Sequence, residues 1–198
     1  MKILLNVGAG PRNGGRIPES FRTSEWQEVR LDIDPANEPD VLGTMLDMSA
    51  VLDNSVDAIY ASHTIEHLYP NEIPTACKEF LRILKPEGFA VITCPDIQAA
   101  GQMIAEDKLL DMAYMSPSGP VTPFDIIYSH RRLTGRDKPY MAHHSGFTLK
   151  VLIGTLRENG FPSCAGKRWQ SFTLWVVATK QQMTDEALRD LAARVTPA

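Results

Sequence analysis

What the chain lacks sets the first limits on it. No apolar run approaches 18 residues, so the sequence offers no membrane-spanning helix and predicts no membrane partner. The opening stretch MKILLNVGAG has one lysine and a short apolar run ending in glycine, too brief for the core of a secretory signal and its cleavage site. No Cys-x-x-Cys pair occurs. The three cysteines, Cys77, Cys94 and Cys164, leave an odd one over, as expected in a reducing compartment, and a cytoplasmic location follows as the expectation. Each reads as a small buried hydrophobe. An excess of positive charge is missing too: the formal net charge of −4 speaks against nucleic acid, whose phosphates require a basic face. Internal repeats and low-complexity tracts are absent.

What is present reads as alternating strands and helices. At 198 residues the chain suits one domain spanning 1–198. A chain of that size buries roughly 70% of its unfolded surface without disulfide or metal staples. Residues 3–8, ILLNVG, form an apolar run suited to a parallel strand buried on both faces. Further strands are predicted at 28–33, 56–61 and 89–94, with a weaker one near Val41-Leu42. Ile73, Cys77, Phe80 and Leu84 recur at helical spacing, with Pro74 in the first turn and Lys85-Pro86 and Gly88 as the stop. A second helix starts after the N-cap Thr148, buries Leu149, Leu152, Ile153 and Leu156, and ends at Gly160. Strands at 167–171 and 174–179 and a helix over 185–195 complete the pattern. Such alternation predicts a doubly wound α/β sheet with helices on both faces. Residues 107–146 break the pattern with several prolines and three of the five histidines; an irregular stretch that long reads as an insertion with a function of its own.

Four segments carry candidate chemistry. Gly8 and Gly10, after the first strand, allow a sharp turn and close approach of a ligand to the backbone. A tight structural turn is the alternative. Asp32, at the end of the second strand, is placed to accept hydrogen bonds from ribose hydroxyls, and Asp34, before Pro35, reads better as a turn cap. The dinucleotide fingerprint needs a third glycine opening a helix. Here Pro11-Arg12-Asn13 breaks any early helix, so a ligand with ribose but no phosphate fits better. Asp47, in Leu46-Asp47-Met48, is placed to accept from an adenine amino group, with an N-cap as the equal alternative. The fourth segment, His63-Thr64-Ile65-Glu66-His67, spells H-x-x-E-H, a zinc motif when it lies on a helix. Pro70 leaves it less than two helical turns, and no third ligand stands out downstream, so the expectation is no metal.

In order, LNVGAG, LDIDP, LDM, SVDAIYASHTIEHL and EFLRILKPEGFAVITCPD resemble the class I S-adenosylmethionine-dependent methyltransferases. Gly146-Phe147-Thr148 and Glu158–Phe161 resemble them as well. The resemblance implies seven strands in the order 3-2-1-4-5-7-6, the seventh antiparallel, and S-adenosyl-L-methionine as cofactor. Gly8 and Gly10 would then hold its methionine part, Asp32 the ribose, and Asp47 and Met48 the adenine. Ser62 and His63 would border the sulfonium, and Asn6 and Ile33 complete the implied cofactor set. Asn6 stands where the family commonly has an acid, Arg12 takes the third glycine position, and the family's N-terminal lid helices have no counterpart.

Inserted chain at this place often covers the acceptor in the family. Arg131, Arg132, Arg136 and Lys138 make the insertion locally basic, which would suit a small, anionic acceptor. His130 and His143 are the candidate general bases for an acceptor that must lose a proton. A homodimer is the expected partner arrangement, if any. The main expectation is thus a methyltransferase acting on a small molecule. The alternatives are a non-catalytic cofactor-binding or partner-binding module and, behind it, a zinc hydrolase built on the H-x-x-E-H segment.

Overall fold

The computed structural model describes residues 1–12, 17–131, 138–170 and 172–197. Its spine is β1 (Lys2–Val7), followed by β2 (Trp26–Asp32), β3 (Val41–Leu42) and β4 (Val56–Ser62). Helix α1 (Ile73–Ile83) leads to β5 (Leu84–Pro95) and α2 (Ile97–Ala105). A small hairpin, β6 (Tyr114–Ser116) and β7 (Gly119–Val121), and α3 (Pro123–Tyr128) come next. Helix α4 (Leu149–Glu158), β8 (Ser163–Trp169), β9 (Thr173–Thr179) and α5 (Asp185–Val195) close the chain.

Seven of these strands form one sheet, in the order β3-β2-β1-β4-β5-β9-β8. The first five lie parallel, and β9 runs antiparallel to both β5 and β8. With β8 and β9 as sixth and seventh sheet strands, this is the expected order 3-2-1-4-5-7-6. Side chains alternate across it with the two-residue period of a strand. Leu5, Val7, Ile59, Ala61, Ala90 and Ile92 enter one core with Phe80 of α1 and Leu152 and Leu156 of α4. Leu4, Ala58, Tyr60, Val91 and Val177 enter the other, under Phe21 and Val195. No helix among the described residues is long and apolar enough to cross a membrane.

Pairing moved several boundaries. Helix α1 stops at Ile83, because Leu84 is already extended (φ −63°, ψ 136°) and pairs with Val56. Leu84 is fully buried as a strand residue rather than as the last of a helical stripe. Strand β8 begins at Ser163, earlier than the expected 167, since its ladder opposite β9 runs from Ser163–Thr179 to Trp169–Thr173. Ser-Cys-Ala-Gly has weak strand preference, and register against a central strand overrides it. The N-cap at Thr148 forms as expected, its side chain accepting from the Val151 amide. Helix α2 was not legible in the sequence; Asp96 caps it by accepting from the amides of Gln98 and Ala99. Within the expected insertion, the hairpin and α3 pack on α2 through Ala100, Val121 and Ile126.

Candidate active site

The carboxyl ends of β1, β2 and β4 open on one cleft of about 1010 Å³, large enough for a nucleoside-sized cofactor and a small second ligand. This is where a doubly wound sheet binds ligands. Gly8, Gly10, Asp32, Ile33 and His63 all line it, so three segments far apart in sequence meet as the glycine-and-acid reading requires.

The glycine loop is fixed by its neighbours. Gly8 and Gly10 sit at φ +66° and +64°, in the left-handed region that L side chains disfavour. A Cβ at Gly8 would lie 2.2 Å from Thr64 Cγ2, whereas one at Gly10 would meet nothing within 4 Å among the described residues. The first glycine is therefore demanded by packing and backbone conformation together, the second by backbone conformation alone. The Gly8 amide donates to Leu31 O (2.9 Å). The buried Arg30 guanidinium donates to Gly10 O, holding the loop from below.

Asp32 joins loop and strand end. Its Oδ2 accepts from the Gly10 amide (2.8 Å), and Oδ1 from the Asp34 amide (2.8 Å) and Asn37 Nδ2 (3.0 Å). A carboxylate offers about four acceptor positions, so one is left for a ligand hydroxyl. Ile33 follows with its side chain 53% exposed, an apolar surface standing in the cleft. Asp34 caps the 3-10 turn Pro35–Asn37, as expected of it, and also binds across the cleft mouth. Its Oδ2 accepts from Tyr140 Oη (2.8 Å) and Lys138 Nζ (3.0 Å). The Tyr140 hydroxyl, the Ala36 amide and Lys138 together hold the Asp34 carboxyl down at about 2. The segment from Lys138 to Ser145 thus forms a strap over the cleft. Its far end is tied by the amides of His144 and Ser145, which donate to Glu66 O (2.9 and 3.0 Å), and by His144 stacked on Tyr69.

Other expected site residues lie elsewhere. Asp47 is exposed and accepts from the Ser49 amide (3.0 Å), as a turn cap does. Met48 is buried in the core, its amide donating to Glu79 Oε2 (2.8 Å). The cleft wall is made instead by the preceding Thr44, Met45 and Leu46. Glu79 and Arg82 of α1 pin this wall. Arg82 donates to Met48 O and Val51 O (2.8 and 2.9 Å) and pairs with Glu79. Asn6 is buried and donates to Glu28 (2.7 Å), and Ser62 bonds Thr93 (2.9 Å); neither lines the cleft. His130 is half-buried just past α3, outside the cleft lining.

The insertion's basic side chains are partly spent. Arg131 pairs with Asp125 (2.9 Å), the buried acid in the capping box of α3, and its own amide donates to the same carboxylate. Burial raises the Asp125 carboxyl, but the Arg131 and Thr122 bonds outweigh it and hold the group well below the usual range. Arg131 is therefore a clamp within the insertion rather than a free anion receptor. Arg132 and Arg136 lie outside the described residues.

The H-x-x-E-H segment is not an α-helix. His63 has φ +52°, and only Ile65–His67 form a 3-10 turn. Glu66 is 2% exposed, and neither carboxylate oxygen has a hydrogen-bond partner among the described residues. His63 Nδ1 stands 3.4 Å from Oε1, near enough for an ion pair but too poorly aligned for a hydrogen bond. Burial opposes the charge on Glu66, while His63, His67 and His143 more than offset it and keep the carboxyl below its usual range. His67 Nδ1 lies 3.1 Å from Ala142 O, and His143 Nδ1 3.0 Å from Ile126 O. Burial pushes the His143 imidazole down.

Lys138, Tyr140 and His144, which belong to the basic insertion the sequence suggested as a cover for the acceptor, line the cleft; sequence reasoning missed Arg82 as the support of its wall. The spacing of Glu79 and Arg82 on one helix face was the only local signal for it.

Comparison with known proteins agrees with this arrangement. A methyltransferase domain family matches residues 5–92. No curated protein matches the chain. Among solved structures, a possible exported protein from Bordetella parapertussis aligns with TM-score 0.59 at 15% identity, over 91% of this chain and 62% of its own. This chain therefore spans less than two thirds of that protein. A SAM dependent methyltransferase from Archaeoglobus fulgidus aligns with TM-score 0.59 at 13% identity, over 90% of this chain and 86% of its own. The 1,6-didemethyltoxoflavin-N1-methyltransferase of Burkholderia thailandensis, solved with 1,6-didemethyltoxoflavin and S-adenosylhomocysteine, aligns with TM-score 0.52 at 13% identity, over 91% of this chain and 71% of its own. At these identities the structures speak for the fold. The methyltransferase sequence match over residues 5–92, with the sheet order and the glycine–acid cleft, supports a class I S-adenosylmethionine-dependent methyltransferase.

Proposed function

We propose that the chain binds S-adenosylmethionine in the cleft and transfers its methyl group to a small-molecule acceptor held under the 138–145 strap. When bound, the cofactor supplies an electrophilic methyl group on a sulfonium. The backbone at Gly8 and Gly10 would meet the methionine part, where no Cβ intrudes. The remaining acceptor position of Asp32 would take one ribose hydroxyl; charge-assisted bonds of this kind contribute about 1.5–3 kcal/mol. Ile33 and Leu46 would pack on the adenine, with backbone groups of Thr44–Leu46 reading its edge in place of Asp47 and Met48.

The work left to the protein is alignment, which can supply roughly 7–11 kcal/mol when nucleophile and methyl group are held in line. The strap from Lys138 to Ser145 narrows the mouth and keeps water out, which suits a small acceptor better than a macromolecule. His63, on the cleft wall with its side chain 44% exposed, is the imidazole best placed to receive a proton from an acceptor. His143 is held by a carbonyl and stands back from the lining.

The observation that carries this reading is the Asp32 carboxylate, fixed by three donors with one position open beside a bare glycine loop. Calorimetry with S-adenosylhomocysteine tests it: one site is expected in the wild type and none in Asp32→Ala. Labelled methyl transfer to fractionated cell extract then tests the acceptor. Label in the small-molecule fraction supports the proposal; no heat, or label only in protein or nucleic acid, refutes it.

A further inference from the structure

The methyltransferase reading leaves one cluster unexplained. A buried glutamate that accepts no hydrogen bond from any described residue, with only a poorly aligned imidazole 3.4 Å from one oxygen, is an expensive arrangement, because burying an under-satisfied carboxylate carries a large desolvation penalty. Glu66 is such a residue. Beside it stand His67, from the same 3-10 turn, and His143, brought from the strap. One donor atom from each of the three lies within 4.8 Å of the others.

The rings are oriented as ligands are. A carbonyl oxygen can only accept, so Nδ1 of His67, facing Ala142 O, and Nδ1 of His143, facing Ile126 O, each carry the proton. In the neutral rings Nε2 is then the basic nitrogen of both. A ring N–H given to a backbone carbonyl is the support that metal-ligating histidines almost always have, since it fixes tautomer and ring direction. The two rings meet edge to face, with centroids 5.0 Å apart.

We propose that Glu66, His67 and His143 form a site for one divalent transition metal ion of the zinc class, at the wall of the cleft that His67 also lines. One carboxylate and two imidazoles are a donor set that zinc takes with a position left open. A tetrahedral ion with ligands about 2.0–2.1 Å away sets its donors about 3.4 Å apart, so donors that now lie within 4.8 Å of one another would draw together on binding, by up to about 1.4 Å. The open position would take an oxygen or nitrogen donor from the cleft. The set differs from the one the H-x-x-E-H spelling suggests: the three donors that converge are Glu66, His67 and, from the strap, His143, while His63 stands beside Glu66 with Nδ1 3.4 Å from Oε1. The inference does not depend on methyl transfer.

The test uses the full chain, stripped with a chelator and titrated with cobalt(II). Expected are one equivalent bound, the visible absorption of a low-coordinate cobalt site, and its loss when zinc is added. Glu66→Gln and His143→Ala should each weaken cobalt binding beyond the roughly 10–100-fold that loss of a supporting residue alone produces. Their circular dichroism and S-adenosylhomocysteine affinity report that they are folded, and His143→Ala serves if Glu66→Gln is not. Cobalt that binds without stoichiometry, or binds both variants as tightly as the wild type, overturns the proposal and leaves the cluster a histidine–carboxylate network. Wild-type protein that binds cobalt but not S-adenosylhomocysteine sustains the metal site and refutes the proposed function instead.

Discussion

Substituting Gly8 by alanine tests the join between glycine loop and cleft most directly. Two separate penalties follow. Alanine at φ +66° occupies the left-handed region, which costs about 1–2 kcal/mol for an L residue. Its Cβ would also lie 2.2 Å from Thr64 Cγ2, where carbon atoms prefer about 3.5–4.0 Å. Thr64 has little freedom to withdraw. It is 8% exposed and precedes the buried Ile65 and Glu66. Overpacking of this kind costs about 1–3 kcal/mol, for a sum of about 2–5 kcal/mol. The two parts separate in a cycle. Thr64→Ser removes Cγ2, so Gly8→Ala/Thr64→Ser should regain the overpacking part and keep only the backbone strain. Urea titration at equilibrium gives the stabilities, and S-adenosylhomocysteine calorimetry shows whether affinity follows, as it should for a cleft residue. If the double variant equals the sum of the single ones within about 0.5 kcal/mol, the Thr64 contact does not dictate the glycine and the argument fails.

Three further predictions address the surroundings. Arg82→Ala removes donors from Met48 O and Val51 O and a partner from Glu79; about 1 kcal/mol per bond and up to about 1 kcal/mol for the partly exposed pair give a loss of about 2–3 kcal/mol, read by thermal melting, with weaker S-adenosylhomocysteine binding because the Thr44–Leu46 wall loosens. The Asp34 carboxyl is lowered from 3.8 to about 2, so folding favours its charged form. Its contribution to the strap is complete above about pH 4 and fades as pH falls through about 2. A carboxyl NMR titration should place its midpoint near 2 in the wild type and higher in Tyr140→Phe, whereas an unchanged midpoint would deny the Tyr140 contact. Arg131→Ala leaves the buried Asp125 without its guanidinium; because Arg131 is half-exposed, about 1–2 kcal/mol is expected, seen as a lower melting temperature with acceptor KM unchanged. A raised KM at unchanged stability would restore Arg131 as an anion receptor.

Much of this protein was legible in local pattern. Apolar runs of period two and stripes of helical period are set by which faces a sheet and its helices must bury, so β1, β2, β4, β5, α1, α4 and α5 could be read before any tertiary contact was known. Gly8, Gly10 and Asp32 were legible because a tight turn and an acid at a strand end are local chemistry in a fixed order. The parts decided only in three dimensions all depend on a partner distant in sequence. Leu84 became strand when Val56 claimed it, and β8 began where β9 required. Asp47 and Met48 differ from Thr44–Leu46 by a few residues, but which of them face the cleft follows from the grip of Glu79 and Arg82. Arg131 looked free until folding set it against Asp125. The H-x-x-E-H motif gained its third candidate ligand only when the strap laid His143 beside Glu66, since burial and convergence belong to the folded chain and not to the spacing of letters along it.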